Sequence, residues 1–312
     1  MGSVRIGTRG SPLALKQAET VKAALAAAHP HLADQLDIVT IRTSGDRIQD
    51  RALADAGGKG LFTKEIERAL IAGDVDMAVH SLKDVPTFLP SGLTLSAFLP
   101  REDVRDMWIS THGQTISDMP SGFSLGTASV RRQAQLLSMR PDLKPQLLRG
   151  NVETRLAKVT NGEVDGTLLA CAGLSRLGLS VPYGTVMAPE DLLPAAGQGI
   201  VGIECREGDD HTIKLVGAIN DHAAAISAAA ERAFLGELDG SCKSPIAAYA
   251  QPIDDAHFAF RGEILSADGA QVFRTSREVS ASTAAEAARD AALALKEEAG
   301  SEFMADFLDG PR

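Results

Sequence analysis

The sequence predicts an α/β protein: two doubly wound lobes followed by a small α+β C-terminal domain. Three observations carry that reading. Short β-rich runs alternate with helical stretches from the N-terminus to about residue 170, which argues for parallel βαβ units. Two parts of that alternation echo each other. Ile6-Gly7-Thr8 with Ser11 resembles Leu125-Gly126-Thr127 with Ser129, and Gly73-Asp74-Val75-Asp76 resembles Gly162-Glu163-Val164-Asp165. From about residue 219 the pattern changes to helix, three strands and helix, a small α+β arrangement.

Val4 to Thr8 is the first β-rich run. Ser11 then supplies an N-cap and Pro12 a first-turn proline. Leu13, Ala14, Gln17, Ala18, Val21 and Leu25 follow at helical spacing. Leu36 to Arg42 reads as the next strand. A polar loop with Gly57, Gly58, Lys59 and Gly60 leads to a helix from about Leu61 to Ala72. Asp76 to Ser81 is a strand, ending at Lys83-Asp84-Val85-Pro86. The second round has strands at Phe123 to Thr127, Gln146 to Gly150 and Asp165 to Ala170. Ser129 opens one helix, and Asn151 to Val159 forms another. The C-terminal part opens with an alanine-rich helix through Asp221 to Leu238. Strands are expected near Ile246 to Ala250, His257 to Leu265 and Gln271 to Val279, then a helix from about Ser282. Short polar turns such as Ala267-Asp268-Gly269 imply an antiparallel sheet.

Composition narrows the function. The 312 residues are 44% hydrophobic and carry a formal net charge of −10, which argues against general nucleic-acid binding. Cys171, Cys205 and Cys242 do not make a disulfide framework, and no Cys/His spacing suggests a metal. The N-terminus runs almost directly into VRIGT, and no apolar run reaches the length of a membrane span. The expectation is a soluble, cytoplasmic protein.

Against that acidic background stands a basic cluster: Arg131, Arg132, Arg140, Lys144, Arg149 and Arg155. Arg131 and Arg132 fall in the first turn of a helix, where a cation opposes the macrodipole. Guanidinium groups grip carboxylates bidentately, so the cost suggests an anionic ligand. A solvated basic face is the plainer alternative. Arg9 and Ser11 lie at the equivalent edge of the first lobe. Lys83-Asp84 sits at the end of a strand, where a carboxylate could steady a cation or move a proton; an ordinary turn fits as well. The glycine loop lacks the spacing of a phosphate-binding loop, so it reads as a lid or a plain connection. Cys171 has core-like surroundings, and Cys205 ends a strand. Cys242 lies in a polar turn, LDGSCKSP, beside a lysine that favours its thiolate.

Taken together these residues resemble the hydroxymethylbilane synthase family, also called porphobilinogen deaminases. The stretches TRGSPLAL, GGKGLFTKEIE, AVHSLKDVP, REDVRD, GTASVRRQAQL, LRGNVETRL, LPAAGQGIVGIECR, AERAFL and LDGSCKSPI occur in the family's order, nearly end to end. The resemblance implies a dipyrromethane cofactor bound covalently through Cys242, a primer to which four porphobilinogen units are added with loss of ammonia. Hydrolysis then frees the linear tetrapyrrole 1-hydroxymethylbilane.

The resemblance also implies Asp84 as the catalytic residue. Ser81, Lys83, Thr127, Ser129, Arg131, Arg132 and Arg155 are implied on the cofactor side. Arg9, Ser11, Gln17, Arg149, Arg155 and Gln198 are implied near the substrate or growing chain, with the glycine loop as lid and no metal. The implied fold is two lobes like those of periplasmic binding proteins, residues 1–99 with 200–218 and residues 100–199, and a third domain over 219–312. A monomer is implied. The rival readings are a non-catalytic two-lobe sensor for carboxylate ligands, a pyridoxal-phosphate enzyme using Lys83, and a cysteine hydrolase. The last lacks a His in a recognisable partner motif.

Overall fold

The computed structural model describes residues 3–47, 60–113, 115–238 and 244–309. The expectations for Gly57, Gly58, Lys59 and Cys242 lie outside the described residues.

The first lobe opens with β1 (Val4–Arg9), α1 (Pro12–Ala28) and β2 (Leu36–Ile41). It continues with α2 (Ser44–Arg47), α3 (Lys64–Ala72), β3 (Met77–Ser81) and β4 (Leu93–Phe98). The chain then crosses to β5 (Asp106–Ser110), β6 (Ser124–Gly126), α4 (Val130–Met139) and β7 (Lys144–Gln146). The second lobe is completed by α5 (Val152–Thr160), β8 (Gly166–Ala170), α6 (Cys171–Leu177) and β9 (Gly184–Val186). The chain returns to the first sheet with β10 (Val201–Arg206), followed by α7 (Asp210–Gly217). Last come α8 (His222–Glu237), β11 (Ile246–Pro252), β12 (His257–Leu265), β13 (Val272–Ser280) and α9 (Ala284–Asp309), which kinks at Gly300.

The two lobes share one topology. The first sheet runs β2-β1-β3-β10-β4 and the second β7-β6-β8-β5-β9. In each, the fourth strand is antiparallel to both neighbours. This departs from the all-parallel expectation, for a physical reason. β10 and β5 are the strands that enter from the opposite lobe. They start at the edge where the parallel strands end, and so must run the other way. The antiparallel sheet β11-β12-β13 agrees with expectation.

The sequence echo has a steric and polar basis. A Cβ on Gly7 would meet Val75 at 3.0 Å, and one on Gly126 would meet Val164 and Leu148 at 2.8 Å, so each strand needs its glycine for close packing. Asp76 accepts a bond from the Arg5 amide at 2.7 Å. Asp165 does the same for Ser124 at 2.8 Å. Each carboxylate fixes the start of the central strand of its lobe.

The expected strand Gln146–Gly150 is shifted. Pairing with β6 stops at Gln146, Leu148 turns into the core, and Gly150 takes a φ of 123°. Arg149 therefore lies on the loop before α5 rather than on a strand. The third domain packs α8 and α9 over its sheet through Phe234, Phe258, Phe260 and a run of alanines. The alanines let the two helices approach closely.

Candidate active site

The first-lobe half of the site is built at the C-terminal edge of β1 and β3. Ser11 caps α1 by accepting from the Ala14 amide at 3.3 Å, which places Arg9 and Ser11 between strand and helix. After β3 the chain makes a short 3₁₀ turn, Leu82–Asp84, fastened by the Leu82 amide to the Ile200 carbonyl at 3.0 Å. Arg9, Ser11, Gln17, Ser81 and Asp84, all expected from the sequence, line one cavity of about 60 Å³ with Phe62. Gln17 is buried and donates to Ser81 Oγ at 2.8 Å. The Arg9 guanidinium lies 4.1 Å from the Phe62 ring centroid, a cation–π contact.

The second-lobe half is built on the N-terminus of α4. Thr127 Oγ1 accepts from the Ser129 amide at 3.1 Å, and Ser129 caps the helix through the Arg132 amide at 3.4 Å. Arg131 and Arg132 point inward and are nearly fully buried. Their common partner is Asp106, the first residue of β5. Arg131 Nη2 and Arg132 Nη2 each donate to its carboxylate at 2.7 Å. Arg131 also donates to the Leu193 carbonyl at 2.6 Å, and Arg132 to that of Leu168 at 2.9 Å. Burial opposes charge on Asp106, but Arg132 and Arg131 outweigh it and hold the carboxyl far below the usual range. The sequence reading missed Asp106. The signal was available: it closes the REDVRD stretch at the head of a strand.

Gln198 joins the halves. Its Nε2 donates to the Val104 carbonyl at 2.7 Å and to Asp106 at 3.0 Å, and its Oε1 accepts from Lys83 Nζ at 3.3 Å. The lobes also touch where Leu13 of α1 approaches Gly173 of α6.

The charge balance favours an anion. Burial and the charge of Arg132 push the Lys83 ammonium down to about 8, with Asp84 and Asp106 opposing. Burial and Arg132 likewise pull Arg155 down to about 10. The Arg155 contact to its own helix, at 3.4 Å to the Asn151 carbonyl, is to a neutral group. Two half-buried cations held by neutral groups, with Arg131 Nε buried and unbonded, form a donor set that fits a ligand carrying several carboxylates. A dipyrromethane with acetate and propionate arms meets that description.

The remaining sulfurs do not compete. Burial pushes the Cys171 and Cys205 thiols up to about 11, far from thiolate chemistry at neutral pH. Among the described residues no cluster of His, Cys, Asp and Glu is arranged for a metal ion. No described helix is long and apolar enough to cross a membrane.

Fold and site together define a two-lobed cleft protein whose facing edges gather cations around two carboxylates, Asp84 and Asp106. The chain belongs to the porphobilinogen deaminase family. Residues 4–214 match the porphobilinogen deaminase dipyromethane cofactor binding domain, and residues 225–297 match the C-terminal domain. It is 54% identical to porphobilinogen deaminase of Nitrobacter winogradskyi over 97% of this chain and 95% of that one. It is 48% identical to the chloroplastic porphobilinogen deaminase of Oryza sativa subsp. japonica over 96% and 85%. Among solved structures, a Salmonella typhimurium periplasmic binding protein with high arginine specificity aligns at a TM-score of 0.41 and 14% identity, over 72% of this chain and 94% of that one.

Proposed function

We propose that this chain performs the family's reaction with Asp84 as its catalytic carboxylate and the surrounding cations as its polyanion grip. The activity is hydroxymethylbilane synthase, a transferase of tetrapyrrole synthesis that uses a dipyrromethane cofactor and acts on porphobilinogen. The sensor reading is not favoured against family matches that span both halves of the chain.

A dipyrromethane cofactor would be held through a Cys242 thioether and would supply a pyrrole carbon whose C–H hydrogen, lost as a proton, is replaced by the bond to the first unit. This chain's residues do the rest. As the substrate C–N bond breaks, the electron pair leaves with nitrogen as ammonia and positive charge builds on the pyrrole. Asp84 lies at the cavity shared with Arg9, Ser11, Gln17 and Ser81. There its carboxylate stabilises that charge and accepts the pyrrole N–H. Arg9, Ser11 and Arg149 bind carboxylates of the incoming unit. Lys83 and Arg155 hold those of the primer, and Gln17 and Gln198 orient Ser81 and Lys83. Ser129 caps α4 and Thr127 fixes Ser129 by accepting from its amide, so Arg131 and Arg132 are presented from a fixed helix end.

We assign residues 1–99 with 200–218 and residues 100–199 to the two lobes, and residues 219–312 to the domain bearing Cys242. The enzyme works as a cytoplasmic monomer.

The observation that carries the reading is the position of Asp84. It is the carboxylate of a cavity also lined by Arg9, His80 and uncharged polar and apolar side chains, and its charge bears on both Lys83 and Arg155. The test is Asp84→Asn. It should still bind porphobilinogen but turn over roughly 10²–10³-fold more slowly, the usual cost of losing one electrostatic stabiliser. A near-native rate would remove Asp84 from the mechanism.

A further inference from the structure

We propose that Asp106 is a positioning residue for the cleft: through Arg131 and Arg132 it fixes the α4 guanidinium planes, and through Gln198 it fixes the ammonium of Lys83. The carboxylate is buried and accepts from three side chains, at 2.7 Å from Arg131 Nη2, 2.7 Å from Arg132 Nη2 and 3.0 Å from Gln198 Nε2.

The Gln198 amide is the informative member. A primary amide has two N–H donors on one side and an acceptor oxygen on the other. Both donors are used, one on the Val104 carbonyl and one on Asp106. That leaves only one way round for the amide, with Oε1 facing Lys83 Nζ. Asp106 and the Val104 carbonyl together therefore decide which atom Lys83 meets. With a donor in place of the carboxylate, only the Val104 carbonyl holds the Gln198 amide in that orientation, and three donors would face a fourth.

The arrangement spans the cleft. Asp106 begins β5 in the second lobe, Gln198 lies on the returning segment, and Lys83 follows β3 in the first. Lys83 is faced by Arg131 and Arg132 from α4, by Asp106 from β5 and by Asp84 from its own turn. Arg155 on α5 feels the same carboxylates. Among these, Asp106 is the negative charge that balances two arginines at once. Removing it leaves Lys83 opposite two arginines without their shared carboxylate, with only Asp84 still favouring the ammonium and Glu263 acting on Arg131.

The test is competitive acetylation with acetic anhydride across pH, with peptide mass spectrometry of the Lys83 peptide. It reads the amine directly and does not depend on the synthase reading, on which only the role of Lys83 toward the primer rests. Intact mass records whether the dipyrrole adduct is present. Proteins are compared in the same state, in a Cys242→Ser background where a variant carries no adduct.

The Lys83 midpoint should fall by roughly one pH unit in Asp106→Asn, because the charge that favours the ammonium is gone. Asp106→Glu should restore much of it. In active variants the alkaline limb of the kcat/KM profile should move acidward by the same amount. If the Asn variant does not fold, Gln198→Leu serves, since it keeps the arginine pairs and removes the acceptor of Lys83 together with its link to Asp106. Its Lys83 midpoint should also fall. A folded Asp106→Asn or Gln198→Leu protein with the wild-type Lys83 midpoint would overturn the proposal.

Discussion

Glu231→Ala should destabilise the molecule more than any surface substitution, because this carboxylate ties the lobe crossing to the third domain. Glu231 lies on α8 and is fully buried. It accepts from Arg101 Nη1 at 2.5 Å and Nη2 at 3.2 Å, from the Gly197 amide at 2.6 Å and from the Ala250 amide at 2.8 Å. Arg101 lies where the chain leaves the first lobe, Gly197 where it returns, and Ala250 on β11. Breaking a buried pair by removing one partner costs about 3–5 kcal/mol. Each orphaned buried amide adds about 1–3 kcal/mol where water cannot reach it.

Arg101 keeps some solvent access, its side chain being 11% exposed, which offsets part of the loss. The terms sum to about 5–11 kcal/mol, and the offset sets the expectation at the lower end, about 5 kcal/mol. At about 2 °C per kcal/mol for a chain of this size, the melting temperature should fall by roughly 10 °C. Circular dichroism melting and urea titration measure it. The paired replacement Arg101→Met with Glu231→Leu should recover more than half, since no buried charge is then left alone. A loss under about 1 kcal/mol in Glu231→Ala would refute the reasoning.

Lys83 gives a pH-dependent prediction. Its folded value of about 8 lies below the unfolded 10.5. The folded state therefore binds fewer protons between those values, and stability rises with pH across that window. Below about pH 8 the penalty is full, up to about 3 kcal/mol. Cofactor-free Lys83→Met should thus be the more stable protein at pH 7, with the advantage fading toward pH 10.5. An advantage that does not change with pH, by urea titration, would contradict this. Gly126→Ala, whose new Cβ would lie 2.8 Å from both Leu148 and Val164, should cost about 1–3 kcal/mol by overpacking. Gly7→Ala, which meets Val75 at 3.0 Å, should cost less, and melting curves rank the two.

Much of the fold was legible because its determinants are local. Ser11 and Ser129 announce helix starts, and the paired Gly-Asp-Val-Asp and Gly-Glu-Val-Asp turns announce two versions of one lobe. The antiparallel strands β5 and β10 were not legible from periodicity, because direction is set by which lobe the chain arrives from. The family resemblance alone indicated that GIVGIECR returns to the first lobe. The end of β7 was misjudged because QLLRG is apolar enough for a strand, while Gly150 and the inward turn of Leu148 end it early. At the site, residue types were readable and their partners were not. Arg131 and Arg132 are expected from the sequence to grip a ligand; in the folded chain each grips Asp106. That pairing joins α4 to β5, 25 and 26 residues apart in sequence, and no local pattern announces it.

Peptide mapping of the native enzyme by mass spectrometry tests the central claim most directly. The account predicts that the peptide holding Cys242 carries the added mass of two linked pyrroles, that Cys171 and Cys205 are unmodified, and that Cys242→Ser removes the adduct together with turnover. An unmodified Cys242 in fully active protein, or an adduct on either buried thiol, would contradict it.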